Sequence, residues 1–344
     1  MTRPKTVTFG ELVLRLTPPG YERFGQSTTL NAHVGGAEAN VAVSLAHFGM
    51  NSHFVSRVPQ NPIGDAALRA LRAEGVDVRS VQRGGERVGI YFTETGASQR
   101  PSLVVYDRAH SGFSELEPEL IPWSEVLRGA RWFHTTGIAP ALGKGVAECT
   151  REALVAARTN GAKVSFDVNY RRKLWSDEEA RRVLRPLLRH VHLLISNEGH
   201  LRHLLDIPPT PEEETTTQGR LEMLQKAAER AVSEHGIEQV AITIRESRMA
   251  NTNAWSALLY DSATKTLHRG PRYVVPIVER IGGGDAFAAG LIFGLLDGRP
   301  PDAALRFAIA AGALKLTVVG DFNRVSVEEV ERLVAGDEGH RMHR

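Results

Sequence analysis

Residues 279–296 read ERIGGGDAFAAGLIFGLL, and three consecutive glycines in front of an aspartate and an apolar run are the stretch best fitted to chemistry. Glycine is a poor choice inside a strand or a helix, so Gly282, Gly283 and Gly284 mark a place where bare backbone is required. After the extended YVVPIVE, and before a helix that ends near Gly298, they form a strand-to-helix turn. The free N–H groups of such a turn point outward with the positive end of the helix dipole, which makes an anion site. Asp285, in the same turn, has two readings. It is an N-terminal cap favoured by the dipole, or a base that takes the proton of a hydroxyl as that hydroxyl attacks phosphorus. The stretch itself leaves both open. The G-x-G-x-x-G spacing of a dinucleotide site does not fit, and G-x-x-x-x-G-K-[ST] is absent, so phosphate chemistry without either loop remains.

The rest of the composition narrows the class. With 344 residues, 42% of them hydrophobic, the chain has the size and apolar content of a globular enzyme. Its start, MTRPKTVTFGELVLRL, has neither a continuous apolar core nor a small-residue cleavage site, and no run is long enough to span a bilayer, so a cytoplasmic protein with no membrane partner is expected. The single cysteine, Cys149, excludes an intramolecular disulfide and a cysteine-built zinc site, and reads as a small buried apolar residue. A net charge of +2 with scattered basic residues gives no footprint for nucleic acid.

The elements that must position the glycine turn follow from periodicity. Extended runs (VTFGELVLRL, VSFDV, VHLLIS, QVAITI) alternate with helical periods (AEANVAVSLAHF, PIGDAALRALRAE, RLEMLQKAAERAVSEH), which argues for an α/β fold with a parallel sheet covered by helices on both faces. Two sections break this rhythm: TPPGYERFGQSTTLNAHV (Thr17 to Val34), and the pair of extended segments from RVGIYFTETG through RPSLVVYDRA. They read as a small β excursion placed where it can cover a site near strand ends. PPTPEEETTTQGR (Pro208 to Arg220) reads as an exposed polar connector.

Two separated motifs, GGAEANVAVSLAHFG (Gly35 to Gly49) and IGGGDAFAAG, resemble the ribokinase/PfkB carbohydrate-kinase family, and the match covers nearly the whole chain. RVGIYFTETGASQRPSLVVYDRAHSGFSEL, FDVNYRRKLWS and TIRESRMANTNAWSALLY narrow the resemblance to 2-keto-3-deoxygluconate kinases. It implies one ribokinase-like domain over residues 1–344, a three-layer α/β/α core with a small β-sheet lid built from residues 11–34 and 86–113. It also implies ATP with Mg²⁺, no protein-built metal cage, and a homodimer paired through the lid. One departure stands out. The commoner family motif is D-T-x-G-A-G-D, whereas Glu279 and Arg280 fill its first two positions here and Gly283 replaces the alanine; this puts any monovalent-cation site in doubt.

By the resemblance, Gly35, Gly36, Ala37, Glu38 and Ala39 lie against the sugar, with Tyr91 and Tyr106 contacting it from the lid. Arg108 and Arg171 match the substrate-side arginines, with the transferring phosphate a second partner for Arg171, and a guanidinium suits the carboxylate of an acid sugar through paired, charge-assisted hydrogen bonds. Asp167 and Asn169 follow the strand KVSF, where ligand-binding side chains of open α/β sheets project, or else they hold the turn. ISNEGH corresponds to the family's N-x-x-E element: Asn197 matches, but His200 stands at the glutamate, with Glu198 the nearest substitute carboxylate and His200 itself reading as a helix-surface residue. Thr243, Arg245 and Ser247 belong to a segment resembling the loop that approaches ATP, and Asp321 contacts substrate or lid, or is a solvated turn acid.

The implied reaction transfers the γ-phosphoryl group of ATP to 2-keto-3-deoxygluconate, giving the 6-phosphate. Asp285 acts as base, and the amides of Gly282 to Gly284 stabilise the moving charge. Fructose, a nucleoside and 2-keto-3-deoxygalactonate are the alternative acceptors. A non-catalytic sugar- or nucleotide-binding sensor is the alternative of a different class.

Overall fold

The computed structural model describes residues 3–207 and 217–336, except for the side chains of residues 247 and 248. The connector that begins at Pro208 therefore falls largely outside the described residues, and its last four residues open the helix Thr217–His235.

The alternating runs assemble into one mixed sheet with strand order β14 (Thr266–Arg269), β13 (Thr252–Asp261), β12 (Gln239–Met249), β11 (Leu193–Asn197), β10 (Lys163–Asp167), β9 (Ala130–Thr136), β1 (Lys5–Phe9) and β4 (Asn51–Val55). From β4 to β12 every pairing is parallel; β12, β13 and β14 continue antiparallel, and β15 (Tyr273–Pro276) pairs with β13. A strand buried on both faces carries apolar residues without alternation, and β11 shows why. Its Leu194 packs with Phe133, Phe166 and Val240 on one face, while Leu193 and Ile195 pack on the other with Trp255, Phe287 and Leu305. The first face is closed by helices that include Lys144–Thr159 and Thr217–His235, the second by Ala37–His47, Gly283–Leu296 and Pro301–Lys315. This is the expected three-layer α/β/α arrangement.

The helix Gly283–Leu296 is apolar around most of its circumference because protein surrounds it. Against Pro301–Lys315 it brings Gly290 and Gly294 so close that a methyl on either would lie 2.9 Å from the Cα of Ala308 or 2.8 Å from the Cβ of Ala304. That tight pair fixes the turn at the N-terminal end of the first helix relative to the loop at the C-terminal end of the second.

The sequence run VTFGELVLRL divides in two. It supplies β1 to the main sheet, breaks at Gly10 to Leu12, and then supplies β2 (Val13–Thr17) to a second sheet of order β3 (Asn31–Gly35), β2, β7 (Gly89–Glu94) and β8 (Leu103–Asp107). A minor parallel pair joins β5 (Arg57–Val58) to β6 (Gln82–Arg83). In the second sheet Arg15, Tyr91 and Tyr106 lie in cross-strand register on one face, and Leu16, Phe92 and Val105 on the other. Tyr91 and Tyr106 line a cavity with the C-terminal ends of β10 and β11 and the middle of β12, so this sheet is a lid over the strand ends.

Candidate active site

Gly282 has φ 86° and stands at the N-cap of the helix Gly283–Leu296, where no side chain caps the end. A Cβ there would fall 2.4 Å from the carbonyl oxygen of Asp321, so only glycine fits both the left-handed conformation and the packing. Asp285 is therefore not the cap. Its carboxylate accepts a 2.7 Å hydrogen bond from Nδ2 of Asn40, on the neighbouring helix Ala37–His47, and faces the cavity beside Gly282 and Gly284. Burial raises its pKa to about 6, with Asn40 and Arg171 pulling the other way, which puts it close to the working range of a general base.

The cavity holds about 310 Å³, within the range of small-molecule sites. On the sugar side Gly36, Ala37, Glu38, Tyr91, Tyr106, Arg108, Asp167 and Arg171 all line it. Gly36 has φ 138°, and a Cβ on it would strike the Glu11 carbonyl at 2.2 Å, so the backbone passes tightly under the lid before the helix begins. Glu38 is buried and accepts from the Thr136 backbone N–H (3.0 Å) and hydroxyl (2.7 Å); burial raises it to about 7. Asp167 reaches about 7 through burial and the neighbouring Asp285 charge. Arg108 donates through Nε to Glu11 at 2.7 Å, pairs with the same carboxylate oxygen through Nη2 at 2.5 Å, lies across the Tyr106 ring, and lines the cavity.

Three other guanidinium groups, of Arg171, Arg245 and Arg280, line the same space. Arg171 donates to the Tyr170 carbonyl, Arg245 lies 4.9 Å over the Trp255 ring, and Arg280 donates to the Ala250 carbonyl; no described carboxylate forms an ion pair with any of the three. Burial lowers the Arg245 pKa, and the Arg280 and Arg171 charges lower it further. Such a crowd of mutually repelling cations beside a glycine turn is complementary to a polyanion.

The structure corrects several sequence readings. Thr243 to Ser247 is not a loop: it lies inside β12, paired in register with β13 from Thr243↔Ala257 to Ser247↔Asn253. The long β12–β13 hairpin supplies a ladder where the resemblance implied a loop. Thr243 and Arg245 line the cavity; the Ser247 side chain lies outside the described residues. Asn197 lines it as well, but its side chain also caps the helix Glu198–Leu205 by accepting from the His200 N–H at 2.8 Å. His200 is a cavity residue rather than a surface one. Burial and nearby arginines drop its pKa to about 3, so it is neutral, and its Nδ1 accepts from Nδ2 of Asn197. Glu198 is no substitute carboxylate, because it is paired with Arg220 at 2.7 Å. Asn169, at φ 38°, lines the cavity and donates its N–H to Asp167.

Gly35, Ala39, Gly283 and Asp321 do not line it. Ala39 and Gly283 are packed in the core, and Gly35 sits against the Asp321 side chain. Asp321 is neither solvated nor open to the cavity: it accepts from Arg15 Nε and from the Tyr91 hydroxyl, both at 2.7 Å. Arg15 also reaches Glu279 at 2.7 Å, which ties the lid to the segment before the glycine turn. Sequence reasoning missed Asn40, Arg15, Glu11 and Thr136, whose partners lie 78 to 306 residues away, and read Arg280 only as a departure from a motif.

Among the described residues no helix is long and apolar enough to cross a membrane. Comparison with known proteins agrees with the fold. Residues 3–326 match the model of the pfkB family carbohydrate kinases. The chain is 33% identical to a 2-dehydro-3-deoxygalactonokinase of Haloferax volcanii, covering 96% of each chain, and 29% identical to a 2-dehydro-3-deoxygluconokinase of Bacillus subtilis, covering 94% of this chain and 93% of that one. A solved structure of 2-dehydro-3-deoxygluconokinase from Thermotoga maritima superposes with a TM-score of 0.92 at 45% identity, over 97% of this chain and 99% of the other. With residues 3–326 matching the family model and a lidded α/β core, this chain belongs to the pfkB family of carbohydrate kinases.

Proposed function

We propose that the protein transfers the γ-phosphoryl group of ATP to the terminal hydroxyl of 2-keto-3-deoxygluconate, giving the 6-phosphate. The observation that carries this reading is the meeting, in one cavity, of Asp285 at the glycine turn with the arginines Arg108, Arg171, Arg245 and Arg280. In this reading Arg108 and Arg171 hold the sugar carboxylate, and Arg245, Arg280 and the turn amides suit the phosphates. Asp285 takes the hydroxyl proton as the oxygen attacks. A neutral hexose has no group that calls for a cation on the sugar side.

Mg²⁺ fits this cavity as a partner of the nucleotide. Among the described residues no three ligating side chains cluster, but Asp167 carries no ion pair and shares the cavity with Asp285, whose charge disfavours its ionisation. A divalent ion held mainly by the nucleotide phosphates and water would relieve that repulsion, and Asp167 is the carboxylate that would approach it. When bound it neutralises phosphate charge.

A panel of sugar acids and neutral sugars with ATP and Mg²⁺, read by ADP release, tests the assignment. The expected result is high kcat/KM for 2-keto-3-deoxygluconate, with the 3-deoxygalactonate epimer as the comparison and fructose poorly used. Preference for a neutral ketose or a nucleoside would refute it.

We also propose that two copies pair through the lid. The support is its outer face, where Leu14, Leu16, Ile90, Phe92, Leu103 and Val105 form an apolar surface, Leu103 and Val105 each 46% exposed. Light scattering should give a dimer for the wild type and a monomer for Leu103→Lys/Val105→Lys. A monomeric wild type, or a double variant that stays dimeric, disproves the pairing.

A further inference from the structure

Lys315 ends the helix Pro301–Lys315, and its side chain is completely buried. An ammonium taken out of water is costly unless its donors are satisfied. Here Nζ donates to the backbone carbonyls of Gly320 at 2.9 Å and Val318 at 3.1 Å, and no described carboxylate comes within ion-pair distance. The charge is thus fixed in place by carbonyl dipoles. Its location is specific: Cε lies 2.9 Å from the point a Cβ on Gly282 would occupy, directly beneath the turn whose other side faces the cavity.

The surroundings explain why a cation belongs there. Glu279 precedes the turn, Asp321 follows the Pro301–Lys315 helix, Arg15 arrives from β2, and Tyr91, from β7, donates to Asp321. His33, from β3, abuts Gly320, and Asp285 stands on the cavity side. Arg15 and Lys315 balance Glu279 and Asp321. Without Lys315 the group would carry a net negative charge directly behind backbone amides that must hold a phosphate.

We infer that Lys315 is a positioning residue for phosphoryl transfer, a tethered cation that cancels the carboxylates under the glycine turn and locks the 318–320 backbone against it. The inference rests on the phosphoryl-transfer reading above. Two features support it. Lys315 is among the groups whose charge favours the ionised form of Asp285. Burial lowers the Lys315 pKa to about 8, with Glu279 and Asp321 opposing the drop. The cation is therefore present at neutral pH and is lost as pH rises through about 8, which places an alkaline limb on turnover.

The test is steady-state kinetics with ATP, Mg²⁺ and the sugar acid the wild type uses, from neutral pH to about pH 10. Wild-type kcat should fall above pH 8 or so. Lys315→Met should lower kcat at neutral pH about ten- to hundredfold, as removal of a supporting group does, with little change in the sugar KM and no alkaline limb. Lys315→Ala should regain activity in ammonium or methylammonium chloride but not in choline chloride at equal ionic strength. Wild-type turnover that stays level across the alkaline range, or a Lys315→Met enzyme that keeps wild-type kcat and the same limb, would overturn the inference. Should the Met variant not fold, the wild-type profile and the cation rescue of the Ala variant decide, and absence of both overturns it. A wild type inert on every sugar acid would instead remove the reading on which it rests.

Discussion

Asp285→Asn should lower kcat by about two to four powers of ten, the range of a positioned general base, while sugar and nucleotide affinities stay within a few fold. The substitution is nearly isosteric, and the side-chain oxygen of Asn can still accept from Asn40 at the present 2.7 Å contact, so the turn and helix are undisturbed. What is lost is a site for the proton. The wild type should show the matching acid limb. Because burial raises Asp285 to about 6, the base is charged above that pH, and turnover falls as pH drops through it. Calorimetric titration separates the two effects, since ligand binding does not require the proton to move. If Asp285→Asn keeps a kcat within tenfold of the wild type, the base lies elsewhere, and Asp167 and Glu38, both near 7, become the candidates.

The glycine turn was legible because its parts are consecutive: three glycines, an acid and an apolar helix dictate backbone shape and charge within a few residues. The α/β core was legible for a related reason, since the alternation of periods is local. What stayed hidden depends on contacts across the fold. Asn40 reads as one polar position on a small-residue helix until it meets Asp285, 245 residues on. Arg15 belongs to an extended run that looks continuous, and only the break at Gly10 to Leu12 carries it from the core sheet to the lid, toward Asp321 and Glu279. Lys315 sits at the end of an apolar helix, where a basic residue near a C-terminus normally needs no explanation. TIRES misled in the opposite sense, because the resemblance cast it as a loop although β13 gives it a full ladder.

Arg108→Ala should raise the KM for the acid sugar about ten- to hundredfold, the worth of a charge-assisted hydrogen bond to a carboxylate, and leave kcat nearly unchanged. The difficulty is that Arg108 has a second partner. Glu11 accepts from its Nε at 2.7 Å and from the Ser111 hydroxyl, and the Glu11 side chain is 1% exposed. Removing the guanidinium leaves that carboxylate buried and unpaired, a defect of roughly 3–5 kcal/mol that can loosen the lid whatever Arg108 does for the substrate. Glu11→Gln/Arg108→Ala separates the roles, because the neutral amide can keep the Ser111 contact without a stranded charge. The double variant should recover most of the thermal stability lost in Arg108→Ala, and its KM for the acid sugar should remain high. Recovery of the KM together with the stability would mean that Arg108 serves only to neutralise Glu11, and the carboxylate role would then fall to Arg171, on the strand-end loop across the cavity.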